Sequence, residues 1–151
     1  MNGFYHVCFV VPDLEASMDE LTRAGHVQWQ PPAGGHLAGV DYRIAFTRGG
    51  PPFIELIQAP PGGPWGDTRM PHFHHLGFWT SSISAGSQRL LDQGCAETFS
   101  GCPYGRAFAY HRVESVGGHI ELVDAAQQPG FQAAWNPGGP LMPAIDESST
   151  P

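Results

Sequence analysis

The sequence contains no lysine; its seven basic residues are all arginines, Arg23, Arg43, Arg48, Arg69, Arg89, Arg106 and Arg112. That absence removes Schiff-base chemistry, a lysine base and the lysine of a phosphate-binding P-loop. Cysteine is scarce too. Cys8, Cys95 and Cys102 are odd in number with no C-x-x-C pair, which reads as reduced thiols in a cytoplasmic protein. No apolar run approaches the ~20 residues that span a bilayer, so no membrane is expected. The opening Met-Asn-Gly-Phe-Tyr-His lacks the basic region of a signal peptide. Positive charge is outnumbered, seven basic against fourteen acidic residues for a net −7. That sign repels phosphate backbones, so nucleic acid is not expected as a partner. What remains is an acidic chain of 151 residues, long enough for one domain that buries roughly 70% of its unfolded surface.

The chain repeats itself. Tyr5–Val11 has the β-branched and aromatic content of a strand. Pro12 breaks it, Asp13 is a candidate N-cap, Leu14, Met18 and Leu21 follow at helical spacing, and Gly25 suits the C′ position. The second half uses the same grammar: a strand over His74–Thr80, Ser82 or Ser84 as cap, Ile83, Leu90 and Leu91 as an apolar stripe, and Gly94 as terminator. Further strands are expected at Tyr42–Thr47, Phe53–Gln58, Ala107–Val113 and His119–Val123, with short ones near Val27–Gln30 and Glu97–Ser100. Gly49–Pro52 and Ser115–Gly118 serve as turns. Each half is thus β-α-β-β-β, an α+β arrangement. Residues 1–135 form one domain, with module 1 at about 4–58, a Pro/Gly-rich linker at 59–71 and module 2 at about 72–124. Phe131 and Trp135 dock a last helical turn, and 136–151 is a mobile or loosely draped tail.

Strand alternation separates two faces. Val7, Phe9 and Val11 point away from His6, Cys8 and Val10; Leu76 and Phe78 oppose His75, Gly77 and Trp79. Ile54 and Leu56 oppose Glu55, and Ile120 and Leu122 oppose Glu121. Four strands therefore offer an apolar face to two helices and one metal-compatible ligand each on the other side. The contexts match as well, His6-Val-Cys-Phe with His75-Leu-Gly-Phe and Ile54-Glu-Leu-Ile with Ile120-Glu-Leu-Val. A lone histidine or glutamate on a strand is ordinarily structural, but four at equivalent points of a repeat imply a shared site. A cation neutralises two carboxylates that would otherwise be costly to bury. Two imidazoles and two carboxylates suit one divalent Zn, Ni, Co, Fe or Mn ion rather than Ca or Mg. His72 and His74 compete with His75; register favours His75 and turns His74 to the opposite face. His119 shares the Glu121 face, as a support for a ligand or as a rim residue.

These residues resemble the vicinal oxygen chelate superfamily, which includes glyoxalase I, methylmalonyl-CoA epimerase, extradiol dioxygenases and bleomycin-resistance proteins. The likeness covers about Tyr5 to Asp124. It is carried by His6-Val-Cys-Phe-Val-Val-Pro-Asp-Leu, Arg43-Ile-Ala-Phe, Phe53-Ile-Glu-Leu-Ile-Gln-Ala-Pro, His74-His-Leu-Gly-Phe and Gly118-His-Ile-Glu-Leu-Val, and it lies nearest the epimerase branch. The resemblance implies two βαβββ modules forming a cupped mixed sheet around a metal held by His6, Glu55, His75 and Glu121. Glu55 stands where methylmalonyl-CoA epimerases usually carry Gln, and the stretch Leu37–Tyr42, where they place a further Glu, offers only Asp41.

The expected chemistry is an isomerase, epimerase or lyase reaction by proton transfer next to a carbonyl through a metal-chelated enediolate, with Glu121 or Glu55 as the base. Two alternatives belong to other classes: a non-haem Fe(II) dioxygenase built on two His and a carboxylate, and a metal-free protein that binds a bulky small molecule. In the last, Trp29, Trp79, Tyr104, Phe108 and Trp135 would line an apolar cup. Arg106, after Tyr104-Gly105, is the candidate anchor for a substrate carboxylate. The partner is thus a small molecule, and a homodimer is compatible with the residues without being demanded by them.

Overall fold

Asp13, three residues past the end of the first strand, starts the first helix. Its carboxylate accepts the Ala16 N–H at 3.0 Å, which satisfies one of the orphan donors of the first turn. The computed structural model describes residues 2–147. In chain order it comprises β1 (Phe4–Val10), α1 (Leu14–Gly25), β2 (Ala33–Leu37), β3 (Val40–Phe46), β4 (Phe53–Gln58), β5 (His72–Thr80), α2 (Ile83–Asp92), β6 (Glu97–Ser100), β7 (Phe108–Val113), β8 (Gly118–Asp124) and α3 (Gln128–Trp135). The eight strands form one mixed sheet in the order β2-β3-β4-β1-β5-β8-β7-β6. Within each half the first strand pairs parallel with the last, β1 with β4 and β5 with β8. The halves join where β1 meets β5 antiparallel, so the two βαβββ modules expected from the repeat are present and share one continuous sheet.

The outer face carries two helices, each over its own apolar patch. Val11, Leu14, Ala45 and Leu56 pack with Met18 and Leu21 of α1. Phe78, Leu90 and Leu122 pack with Ile83 of α2. Ser82 caps α2 by accepting the Ala85 N–H at 3.1 Å. Leu91, expected on the apolar stripe, is exposed. Trp29 also lies on this outer side, its indole N–H donating to the Met18 carbonyl at 3.2 Å, and so does not line the cup. Among the described residues no helix is long and apolar enough to cross a membrane.

Three further expectations change. The second strand lies at Ala33–Leu37 rather than Val27–Gln30, where Trp29 makes only an isolated bridge to Thr47. Its Ala-Gly-Gly-His-Leu sequence has little strand propensity and gains its place by pairing with β3; Gly35 is needed because a Cβ there would overlap the Tyr42 ring. Gly25 is the last residue of α1, and His26 takes the left-handed cap at φ 55° instead of a glycine. The stretch 136–147, expected as part of a mobile tail, is packed: Met142 and Ala144 are buried, and the Ile145 N–H reaches the Trp79 carbonyl at 2.8 Å. Gln128 holds it through both atoms of its amide, donating to the Met142 carbonyl at 2.6 Å and accepting the Met142 N–H at 2.9 Å. Asp146 accepts the Ser81 N–H and hydroxyl. The rest of that expectation, 148–151, falls outside the described residues.

Candidate metal centre

The concave face of the sheet holds two aromatic clusters, one at each end of the cup. At one end Tyr5, Phe46, Phe53 and Trp79 pack with Phe131 and Trp135 of α3. At the other Cys8, Val10, Leu37, Ile57 and Tyr110 pack with Trp65, which the linker inserts and which donates to the Tyr110 hydroxyl at 3.1 Å. Between them lie His6, Glu55, His75 and Glu121, all buried.

Their donor atoms converge. His6 Nε2 and His75 Nε2 are 2.9 Å apart. Glu121 Oε2 stands 3.1 Å from the first and 3.2 Å from the second, and Glu55 reaches them at 3.6 and 3.5 Å. Donors at about 2.0–2.2 Å from one ion, at angles of about 90–110°, lie about 2.8–3.6 Å from each other, and the observed separations fall in that range. Glu121 Oε2 forms no sound hydrogen bond with either imidazole despite these distances. The two imidazoles are within hydrogen-bond reach of each other while the buried Glu121 Oε2 has no partner, so this crowded donor set fits a divalent cation.

Electrostatics agree. Burial works against the charge on Glu121, but the His75 and His6 imidazoles overcome it and hold the carboxyl well below its usual range. Burial likewise opposes a charge on His6, and Glu55 and Glu121 outweigh it to raise that imidazole. Glu121 and the His6 imidazole thus favour each other's charged forms, a role that a cation would take over.

Two β-bulges aim the histidines. Along the β1–β5 seam Phe4 pairs with Phe78 and His6 with Gly77, so Tyr5 is extra; Cys8 pairs with His75 and Phe9 with Phe73, so His74 is extra. Each bulge puts two consecutive side chains on the concave side. His74 therefore does not turn to the opposite face, as strict alternation required: it is buried beside His75, Nδ1 to Nδ1 at 2.8 Å. Its ring stacks on His119 with centroids 4.7 Å apart. Burial, with the neighbouring His75 and His119, pushes the His74 pKa down to about 2, so its ring is neutral. Gly77 leaves the room that His6 needs, because a Cβ there would overlap the imidazole.

A cavity of about 710 Å³ opens beyond His74 and His119, with Trp65, Phe99, Tyr104 and Arg112 on its walls. Of the candidate substrate residues, Tyr104 and His119 line it. The His119 Nδ1–H donates to the His74 carbonyl at 3.0 Å, and burial lowers its pKa. Trp79 does not line it; it stacks on Tyr5, centroids 4.1 Å apart, under α3. Nor does Arg106, which reaches across to module 1 and donates to the Tyr42 hydroxyl at 3.1 Å and the His36 carbonyl at 3.2 Å. Asp41 is exposed and faces His36 at 2.8 Å. His72 reaches the cavity, while His111 lies under α2 against Ser87 at 3.0 Å. Sequence reasoning missed Arg112, although it shares strand parity with Tyr110 and pairs with His119, a signal that alternation supplies.

Comparison with known proteins agrees with this architecture. The family model described as Glyoxalase/Bleomycin resistance protein/Dioxygenase superfamily matches residues 5–115, which includes His6, Glu55 and His75 and stops short of Glu121. Among solved structures, methylmalonyl-CoA epimerase from Mycobacterium tuberculosis superposes with a TM-score of 0.56 at 20% identity, covering 81% of this chain and 87% of that one. A hypothetical protein from Bacillus halodurans C-125 gives 0.59 at 18%, covering 80% and 92%. A mutant of 4-hydroxymandelate synthase from Streptomyces coelicolor gives 0.57 at 15%, covering 80% of this chain and 47% of that one. At these identities the likeness is one of fold. Among curated protein sequences none matches this chain.

Proposed function

Since the chain belongs to the glyoxalase/bleomycin resistance protein/dioxygenase superfamily, we propose that it is a metal-dependent isomerase, epimerase or lyase that moves a proton at a carbon next to a carbonyl. The observation that carries the reading is the convergence of His6, Glu55, His75 and Glu121 on one point of the concave face. These four residues would hold the ion. When bound, a divalent cation supplies Lewis-acid polarisation to the carbonyl, which acidifies the neighbouring C–H. The proton passes to a carboxylate oxygen and returns from it to the same or an adjacent carbon. Glu55 is assigned this role because its oxygens stand 3.5 and 3.6 Å from the imidazole nitrogens against 3.1 and 3.2 Å for Glu121, so it is the less tightly engaged carboxylate. The cavity beside His74 and His119 receives the rest of the substrate, and Arg112, which donates to Glu114 at 3.3 Å, is the cation on its wall that a substrate carboxylate could recruit.

Elemental analysis of protein purified without chelator, followed by solvent-deuterium exchange into methylmalonyl-CoA and a set of 2-oxo and 2-hydroxy acids, tests the proposal. Stoichiometric metal is expected, with exchange into at least one probe. Glu55→Gln should lose exchange while keeping metal, and Glu121→Gln should lose both. Exchange that survives in Glu55→Gln sinks the assignment of the base.

One observation favours a second reading. His6, His75 and Glu121 form a compact trio by themselves, the ligand types of a non-haem Fe(II) oxygenase. That reading expects iron in the purified protein and oxygen uptake with an organic substrate, and the same elemental analysis separates the two.

A further inference from the structure

Glu55 on β4, Cys8 on β1 and His75 on β5 stand side by side across three adjacent strands. Cys8 pairs directly with Glu55 on one side and with His75 on the other. The related row in the second module reads Glu121, Gly77, His6. There the middle position is glycine and offers no side chain. In the first row it is a fully buried cysteine, and the ligand atoms of Cys8, Glu55 and His75 all lie within 4.8 Å of one another. The two halves of the site therefore match in imidazole and carboxylate and differ by one sulfur.

We propose that Cys8 Sγ is an additional donor to the centre and makes it selective for soft or borderline divalent ions. This rests on the reading of His6, Glu55, His75 and Glu121 as metal ligands. When the ion binds, the thiol proton leaves to solvent and the sulfur joins two imidazoles and two carboxylates as an anionic donor. Thiolate favours zinc, cobalt and cadmium over the harder manganese and magnesium, for which an all-oxygen and nitrogen set would suffice. Cys8 is also sheltered from adventitious metals and oxidants in a way that exposed Cys102 is not.

Titration of the metal-free protein with Co(II), as wild type, Cys8→Ser and Cys8→Ala, gives two independent readouts. Visible d–d bands report that the centre binds cobalt, and a near-ultraviolet sulfur-to-cobalt charge-transfer band reports the thiolate. The expected result is d–d bands in all three proteins and the charge-transfer band in wild type alone. The ratio of Cd(II) to Mn(II) affinity should also fall at least about tenfold in Cys8→Ser, the size of effect that a change around a metal ligand produces. D–d bands without a charge-transfer band in wild type, or a band that survives in Cys8→Ser, overturn the role of Cys8 and leave the four-ligand centre standing. Absence of cobalt binding in wild type overturns both. Circular dichroism on each variant separates loss of the donor from loss of the fold.

Discussion

His74 Nδ1 meets His75 Nδ1 at 2.8 Å, so one ring must donate and the other accept. Burial keeps His74 neutral, and His75 Nε2 faces His6 and Glu121. An ion held by His75 Nε2 would need that nitrogen's lone pair, which would put the proton on His75 Nδ1 and make His74 its acceptor. His74→Ala is expected to lower Zn(II) affinity about 10–100-fold, read by competition with a chromophoric chelator, while the far-ultraviolet spectrum stays that of the wild type.

Gly77→Ala should be far more disruptive than its single methyl suggests. The new Cβ would overlap the His6 ring, and neither the sheet nor the buried imidazole has space to yield. Overpacking of this kind costs about 1–3 kcal/mol, and here it also displaces a donor. Thermal unfolding should show the loss of stability, and metal content measured on the still-folded protein should fall with it.

The pH dependence of stability should differ between metal-free and metal-loaded protein. His6 is raised above 6.5, so its contribution to the metal-free fold is complete below that value and is lost as pH rises through the raised one. Glu121 is depressed below 4.5, so its contribution is present above that value and is lost as pH falls through the lowered one. Metal-free protein should thus be most stable in mildly acid solution and weaken toward alkaline pH. Ions bind the deprotonated imidazoles, so the stabilisation by Zn(II) should grow over the same interval. Melting temperatures across about pH 5–9, with zinc and with chelator, test this; parallel curves would contradict it.

Gln128→Ala removes both hydrogen bonds that hold the backbone of Met142 and leaves a buried N–H and C=O without them. A cost of about 1–3 kcal/mol is expected, visible as a lower melting temperature, together with faster proteolysis between 136 and 147. The nearby half-buried Gln132→Ala, which loses a single hydrogen bond to the Pro140 carbonyl, should cost less than half as much.

The modules were legible because alternation and the repeat point the same way. Ile54-Glu-Leu and Ile120-Glu-Leu place each carboxylate opposite its apolar neighbours, and Asp13 and Ser82 announce their helices. What alternation could not show was the interruption of alternation. The Tyr5 and His74 bulges exist because the two strands of the seam run out of step, which is a property of a pairing and not of either strand. Strict alternation for that reason puts His74 on the wrong face. Strand β2 was illegible for a related cause: Gly34 and Gly35 have little preference of their own and become strand by lying on β3. The packed segment to Glu147 hid behind a Pro- and Gly-rich composition because few apolar side chains, Met142, Ala144 and Ile145, anchor it and the rest of its hold is hydrogen bonding such as that of Ser81 to Asp146.

The seam between β1 and β5 has a consequence for ancestry. Each module brings one histidine and one glutamate to the shared centre, His6 with Glu55 and His75 with Glu121, and neither pair makes a four-donor set unaided. A single module paired with its own copy about a two-fold axis at that seam would already possess all four. Fusion of the copies then frees the halves to diverge, and the contrast between Cys8 and Gly77 is the mark that such divergence leaves at the centre itself.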